Sequence, residues 1–345
     1  MRNDEIIKDD IQKVLSSDFI DYGKLSSANY LVTGSSGMLC SFVVKVLLSL
    51  TSGKVFALFR NKQRFDEVFS SFLGNQNLVP IECDVAKFDP SIIRDRVDHI
   101  IHGASIGSPK FYTIDPLDVF EANCIGTLKM IDLMKIQPVK DLTFISSAEV
   151  YGDITELDSV AEDYVGVINQ LEVRSCYAES KRMAENIVAS WCKTNGRNFN
   201  IVRPFHTYGP DMKLDDGRIF ADVVKAVVSG EDIVLNSDGS SVRAFCYVVD
   251  FVSALLAIIA SGKVNEVWNI GNADEVFSTA DLAYMVQNII LEKKVNVIIK
   301  NDTQKSNSFQ KIIPDISKLK SLGWYNQVNA KSGFTRIINH FLNNL

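Results

Sequence analysis

The sequence predicts an α/β chain, a doubly wound parallel sheet carrying a smaller, mostly C-terminal lobe. Three observations predict it. From Ala28 onwards short β-like runs alternate with helical patterns. A glycine-rich turn joins the first run to the first helix. The chain has 345 residues, more than one small core usually holds.

Taken in order, Asp4 to Leu15 reads as a short amphipathic helix with Ile6, Ile7, Ile11, Val14 and Leu15 on one side. It belongs to an N-terminal helical arm over residues 1–27. Tyr30 to Val32 reads as a buried strand, Phe42 to Leu50 as a helix and Val55 to Phe59 as a second strand. Leu78 to Glu82, Val97 to His102 and Leu142 to Ser146 read as further strands, with residues 28–208 forming one domain. After about Gly209 the pattern turns irregular, with Gly, Asp and Ser clusters at Asp215–Gly217 and Ser237–Ser241. Residues 209–345 are therefore read mainly as the second lobe, except that a strand near 266–272 returns to the main sheet. No internal repeat or low-complexity linker is visible.

Composition narrows the class. Hydrophobic residues at 46% and charged residues at 23% suit a globular protein and not a disordered one. A net charge of −6 argues against a nucleic-acid surface. The six cysteines form no CxxC pair, and with a charged N-terminus lacking an apolar signal core they read as reduced thiols of a cytoplasmic protein. No apolar run reaches the ~18 residues of a membrane span. His99, His102, His206 and His340 form no ligand motif, so no metal is expected.

The chemistry-bearing segments come next. Leu31 to Cys40 runs from strand to helix through Gly34, Ser36, Gly37 and Met38. A glycine here permits a tight turn and close approach of a pyrophosphate, which the helix N-terminus then binds. The turn predicts a dinucleotide site. The second strand ends in Phe59-Arg60, without the acid that usually meets the ribose hydroxyls of NAD. Arg60 therefore favours the 2′-phosphate of NADP(H), with NAD(H) possible. Tyr177 and Lys181 form YxxxK, a spacing that puts both on one helix face. A lysine ammonium near the phenol would stabilise the phenolate for proton exchange at neutral pH. Upstream, Ser147 (with Ser146 its neighbour) and Glu149 stand at the end of a strand.

These segments, with Asn123 in an Nx2GT element, resemble the extended short-chain dehydrogenases that modify nucleotide sugars, of the NAD-dependent epimerase/dehydratase type. They include UDP-glucuronate decarboxylases, dTDP-glucose 4,6-dehydratases and UDP-glucose 4-epimerases. The resemblance runs from about Tyr30 to about Phe341 and is carried also by Ala104 to Lys110, Arg174-Ser175-Cys176-Tyr177, Arg203 to Pro210, Asp215 to Arg218, Asp238 to Phe245 and Pro314 to Trp324. It departs at Cys40, where the family has a third turn glycine, and a slight repacking is expected there.

The resemblance implies a Rossmann fold and a nucleotide-diphosphate sugar as substrate. It implies Tyr177, Lys181, Ser147 and Glu149 as catalytic residues. Gly34, Ser36, Gly37, Met38, Arg60, Asp84, Val85, Ala104 and Lys181 would face the cofactor, with Asp84 at the adenine. Ser108, Arg174, His206, Arg218 and Arg243 would face the substrate, and the arginines suit a diphosphate bidentately. A homodimer through helices at 119–135 and 178–193 is also implied. Dehydratases carry Asp-Glu and decarboxylases Ser-Glu where this chain has Ala148-Glu149. The basic residue before the Pro-Asp-Ile-Ser segment of decarboxylases is Lys311 or is absent. The reading that follows is a reductase acting on the C4 ketone of a dTDP-4-keto-6-deoxyhexose for surface polysaccharide, such as O-antigen lipopolysaccharide. The alternatives are a decarboxylase or 4-epimerase that retains NAD, and a non-catalytic dinucleotide sensor.

Overall fold

The computed structural model describes residues 3–290, 295–300 and 311–343. The first half alternates in chain order: α1 (Asn3–Leu15), β1 (Tyr30–Thr33), α2 (Met38–Leu50), β2 (Val55–Phe59), α3 (Lys62–Val68), β3 (Leu78–Glu82), β4 (His99–His102), α4 (Pro116–Phe120), α5 (Gly126–Ile136), β5 (Asp141–Ile145), α6 (Cys176–Thr194) and β6 (Asn198–Pro204). Then follow β7 (Thr207–Tyr208), α7 (Ile219–Ser229), β8 (Ile233–Leu235), β9 (Val242–Ala244), β10 (Cys246–Tyr247), α8 (Val248–Ser261) and β11 (Glu266–Ile270). The last are β12 (Val276–Ser278), α9 (Thr279–Gln287), β13 (Val297–Ile299), β14 (Lys311–Ile312), α10 (Ser317–Lys320) and α11 (Ala330–Leu342).

Seven strands make one parallel sheet in the order β11-β6-β5-β4-β1-β2-β3, a doubly wound topology. The α/β reading holds. β1, β2, β4 and β5 are buried at every position, as expected of strands covered on both faces. The chain reverses winding between β1 and β4, so a crevice opens past their C-terminal ends, where such folds bind ligands.

Beyond Gly209 the structure is more regular than the sequence suggests. α8 is buried at all but one of its fourteen positions, so it has no polar face and shows no helical period. α1 packs on α2, α8 and α11. Its apolar stripe is buried at Ile6, Ile11 and Val14, but so is Asp10, which sequence periodicity assigns to solvent. The Tyr247 hydroxyl donates to Asp10 at 2.6 Å and Arg336 Nε donates at 2.7 Å, which makes the burial tolerable. No helix among the described residues is long and apolar enough to cross a membrane.

Asp250, on α8, is a buried carboxyl with no cation paired to it among the described residues. Burial raises its pKa from 3.8 to about 7, partly offset by the backbone amides of Gln327 and Val328. The folded value exceeds the unfolded one, so this stabilising contribution is complete below pH 3.8 and is lost as pH rises through about 7. Thermal melts from pH 5 to 8 should show Tm falling, and Asp250→Asn should flatten that slope and melt higher than the parent at pH 8. Parallel pH slopes for the two proteins would refute it.

Candidate active site

A cavity of about 900 Å³ lies past the C-terminal ends of the sheet and runs from the β1–α2 turn to the second lobe. Gly34, Ser36, Gly37 and Met38 line one end. Gly34 has φ +70°, and a Cβ on it would sit 2.8 Å from Ala104 Cα, so only glycine fits. Gly37 caps α2 without a side-chain hydrogen bond, which leaves the helix N-terminus to the cavity. That arrangement fits the pyrophosphate of a dinucleotide.

Cys40 occupies the third turn position and packs against Gly103, where an added Cβ would lie 2.3 Å from the Cys40 sulfur. The close approach usually given by a glycine on the helix is here given by one after β4. Gly103→Ala should overpack this contact and cost about 1–3 kcal/mol. Adding Cys40→Ala should recover most of the loss, as the coupling in a thermal double-mutant cycle. Additive losses would show the two positions to be independent.

Arg60 lines the cavity but stands between two carboxylates, Asp84 at 3.7 Å and Asp118 at 3.9 Å. A 2′-phosphate placed there would meet both acids, so the geometry gives no support to the expected NADP preference. Asp84, Val85 and Ala104 lie off the cavity wall. The Asp84 side chain accepts from the Ala86 amide, Val85 is buried, and the Ala104 amide donates to the Thr33 hydroxyl.

At the centre, the YxxxK helix α6 meets the end of β5. Lys181 is buried and donates to the Ile145 carbonyl at 2.8 Å, 4.8 Å over the Phe144 ring. Burial lowers its pKa to about 7. Tyr177 is buried too. Desolvation and the Glu149 charge push its phenol up to about 12, opposed by hydrogen bonding from Ser147 and Tyr112 and by the Arg218 charge. The two adjacent serines separate cleanly. Ser146 bonds Glu185 at 2.5 Å, and Glu185 is paired with Arg203 at 2.6 Å. Ser147 faces Tyr177 and accepts the Glu149 amide at 3.1 Å. Asn123 sits on a π-turn between α4 and α5 and donates to Ser180 at 2.8 Å, so it supports α6 beside the site.

At the far end the candidate substrate groups converge. Glu149 is desolvated, which raises its pKa, and Arg174 stands 3.5 Å away and pulls it back. Arg218 is bonded to Asp216. Arg243 is buried, donates only to the Val242 carbonyl, and has no carboxylate partner among the described residues. Desolvation lowers its pKa to about 10, so it is a cation lacking its anion. His206 holds φ +30° and lines the same wall with its Nδ1 unpartnered. Burial, then the Arg243 charge, keeps it neutral. Ser108 donates to the Asp216 carbonyl at 2.8 Å and Lys110 to the Asp215 carboxylate at 2.9 Å, so a strap crosses the cavity.

Sequence reasoning missed Lys110, Tyr112, Arg64 and Asp211, all on the wall. It also left Lys311 open. Lys311 pairs with Asp158 at 3.0 Å outside the cavity, and apolar Ile312 lines the wall.

The fold and the cavity together define a dinucleotide-dependent enzyme of the Rossmann class. The pattern of the "NAD dependent epimerase/dehydratase family" matches residues 30–271, and the chain belongs to that family. It is 33% identical over 309 residues to "UDP-glucuronic acid decarboxylase 6" of Arabidopsis thaliana, covering 89% of this chain and 87% of that one. Among solved structures it resembles a "UDP-N-acetylglucosamine 4-epimerase" of Methanobrevibacter ruminantium (TM-score 0.82, 21% identity, 93% of this chain and 100% of that one). It also resembles the "UDP-Glucuronic acid 4-epimerase" of Bacillus cereus in complex with UDP-glucuronic acid and NAD (TM-score 0.80, 22% identity, 92% and 100% covered).

Proposed function

We propose that this chain is a nucleotide-sugar 4-epimerase that keeps its NAD(H) and takes a UDP-linked sugar, with UDP-glucuronate the first candidate. The observation that carries it is one continuous cavity holding the uncapped turn at Gly34–Met38, the Tyr177–Ser147–Lys181 centre and the unpaired Arg243. The dinucleotide supplies the hydride acceptor. The sugar C4 hydroxyl gives its proton to the Tyr177 oxygen as its C4 hydride leaves, and Ser147 holds the same oxygen. Lys181 favours the phenolate from the buried side. Arg243 takes the diphosphate. Tyr177 would restore the proton to the C4 oxygen when a bound dinucleotide supplies hydride to the opposite face, which would give the 4-epimer.

Two features favour epimerisation over decarboxylation. Ala148 departs from the Ser-Glu pair expected of decarboxylases, and Lys311, the candidate for their basic residue, is paired with Asp158 outside the cavity. Decarboxylation remains the second reading, supported by the curated relative and by Glu149. The ketoreductase reading draws support from neither the relatives nor the surroundings of Arg60. The homodimer belongs to this proposal. α4 and α5 pack with α6 and leave Leu117, Ile125, Leu128 and Met183 exposed.

The test is purified protein with UDP-glucuronate and no added cofactor, products read by NMR. UDP-galacturonate is the expected product. UDP-xylose would establish decarboxylation instead. Conversion of a dTDP-4-keto-6-deoxyhexose only with NADPH would overturn the proposal in favour of the reductase. Sedimentation should give twice 38.4 kDa, and a monomer would refute the dimer.

A further inference from the structure

Tyr112 takes no part in the reaction proposed above, yet its ring stacks on that of Tyr177. The two rings stack with centroids 4.7 Å apart and planes 10° from parallel. Tyr112 is 1% exposed and shares a small buried cluster with Tyr177, Val119 and Cys176. It follows a short 3-10 turn, Pro109–Phe111, inside the segment that carries the strap residues Ser108 and Lys110. Cys176, one residue before Tyr177, donates its thiol to the Tyr112 carbonyl at 3.5 Å. The Tyr112 hydroxyl donates to the Gly107 carbonyl at 3.2 Å and also lies in hydrogen-bonding reach of Tyr177.

A phenol has one proton to donate. While Tyr177 is neutral, the Tyr112 proton can rest on the Gly107 carbonyl. Once Tyr177 is a phenolate, that oxygen is the stronger acceptor, because hydrogen bonds to ionised groups are about twice as strong as neutral ones. The charged groups facing this pair are Glu149, which opposes ionisation, and Arg174 and Arg218, which favour it.

We propose that Tyr112 is a positioning residue for Tyr177: its ring fixes the plane of the catalytic phenol, and its hydroxyl swings from Gly107 to the Tyr177 oxygen when that oxygen becomes negative. No bond forms or breaks at Tyr112. The proposal rests on the reading of Tyr177 as the acid–base residue.

Protein labelled with 3-fluorotyrosine gives one fluorine resonance per tyrosine, and Tyr177 is identified by its loss in Tyr177→Phe. Ring fluorination acidifies the phenol and brings its titration into a pH range the fold tolerates. Tyr112→Phe keeps the stack and removes the hydroxyl. It should raise the Tyr177 midpoint by about one to two pH units, the worth of one charge-assisted hydrogen bond. Ser147→Ala should shift it in the same direction. An unchanged midpoint in Tyr112→Phe, with Ser147→Ala shifted, would overturn the proposal. The reciprocal measurement needs no altered hydroxyl at position 112. In the parent protein the Tyr112 resonance should move as Tyr177 ionises, and Tyr177→Phe should erase that step. A Tyr112 resonance indifferent to Tyr177 would also refute it. Neither readout needs a nucleotide sugar, so failure of the substrate reading would leave this result standing.

Discussion

Tyr177→Phe should lower turnover of the nucleotide sugar by roughly 10²- to 10⁴-fold, the usual worth of a positioned acid–base group. Its dinucleotide affinity and melting temperature should stay near those of the parent. The separation follows from geometry. The proposed pyrophosphate cradle, Gly34, Ser36, Gly37 and Met38, lines the other end of the cavity, and none of these residues depends on the phenol. The ring is retained in Phe, so the stack on Tyr112 and the fit to Val119 and Cys176 persist. Only the oxygen facing Ser147 is lost. Single-turnover reduction of bound NAD isolates the step. A normal rate in Tyr177→Phe would remove this residue from the chemistry and revive a dinucleotide-sensing role for the chain.

Lys45→Met should destabilise the fold by about 3–5 kcal/mol, the cost of leaving one member of a buried ion pair uncompensated. Lys45 lies on α2 with its side chain 1% exposed, and Asp211 meets it at 2.6 Å. Ser41 donates to the same carboxylate oxygen at 2.7 Å, and Arg64 donates to the Asp211 carbonyl at 2.6 Å. Burial alone would raise the Asp211 pKa, but Lys45 and its hydrogen bonds outweigh it and hold the carboxyl below its ordinary value. Replacing both partners, as in Lys45→Met with Asp211→Leu, should restore much of the lost stability. Thermal melts decide it, and a Lys45→Met protein as stable as the parent would show the pair to be energetically neutral. The pair also ties the cofactor-side helix to the loop that leads into the second lobe, so Lys45→Met should weaken substrate binding more than dinucleotide binding.

The sheet and the candidate catalytic residues were readable because their signals are local. A strand, a glycine turn and a helix are contiguous from Tyr30 to Leu50, and YxxxK lies within one turn of α6. What the sequence hid depends on distant pairing. Lys45 reads as an interruption of an apolar run until Asp211 appears beside it. Arg60 reads as a phosphate ligand until Asp84 and Asp118 flank it. Tyr112 has no spacing relation to Tyr177 and is found only through the packing of two segments. α8 escaped for the opposite reason, since a helix buried all round carries no pattern to read.

The burial of Asp10 bears on how the chain is assembled during synthesis. Its partner Arg336 lies 326 residues further along and Tyr247 lies 237 further along. A ribosome adding ~5–20 residues each second therefore exposes the arm well before either partner emerges. Until then Asp10 must stay in water, and α1 has no finished surface of α8 or α11 on which to dock. α1 is made long before its partners and is among the last helices to be placed, so the arm acts as a closing seam, fastened when the chain reaches residue 336.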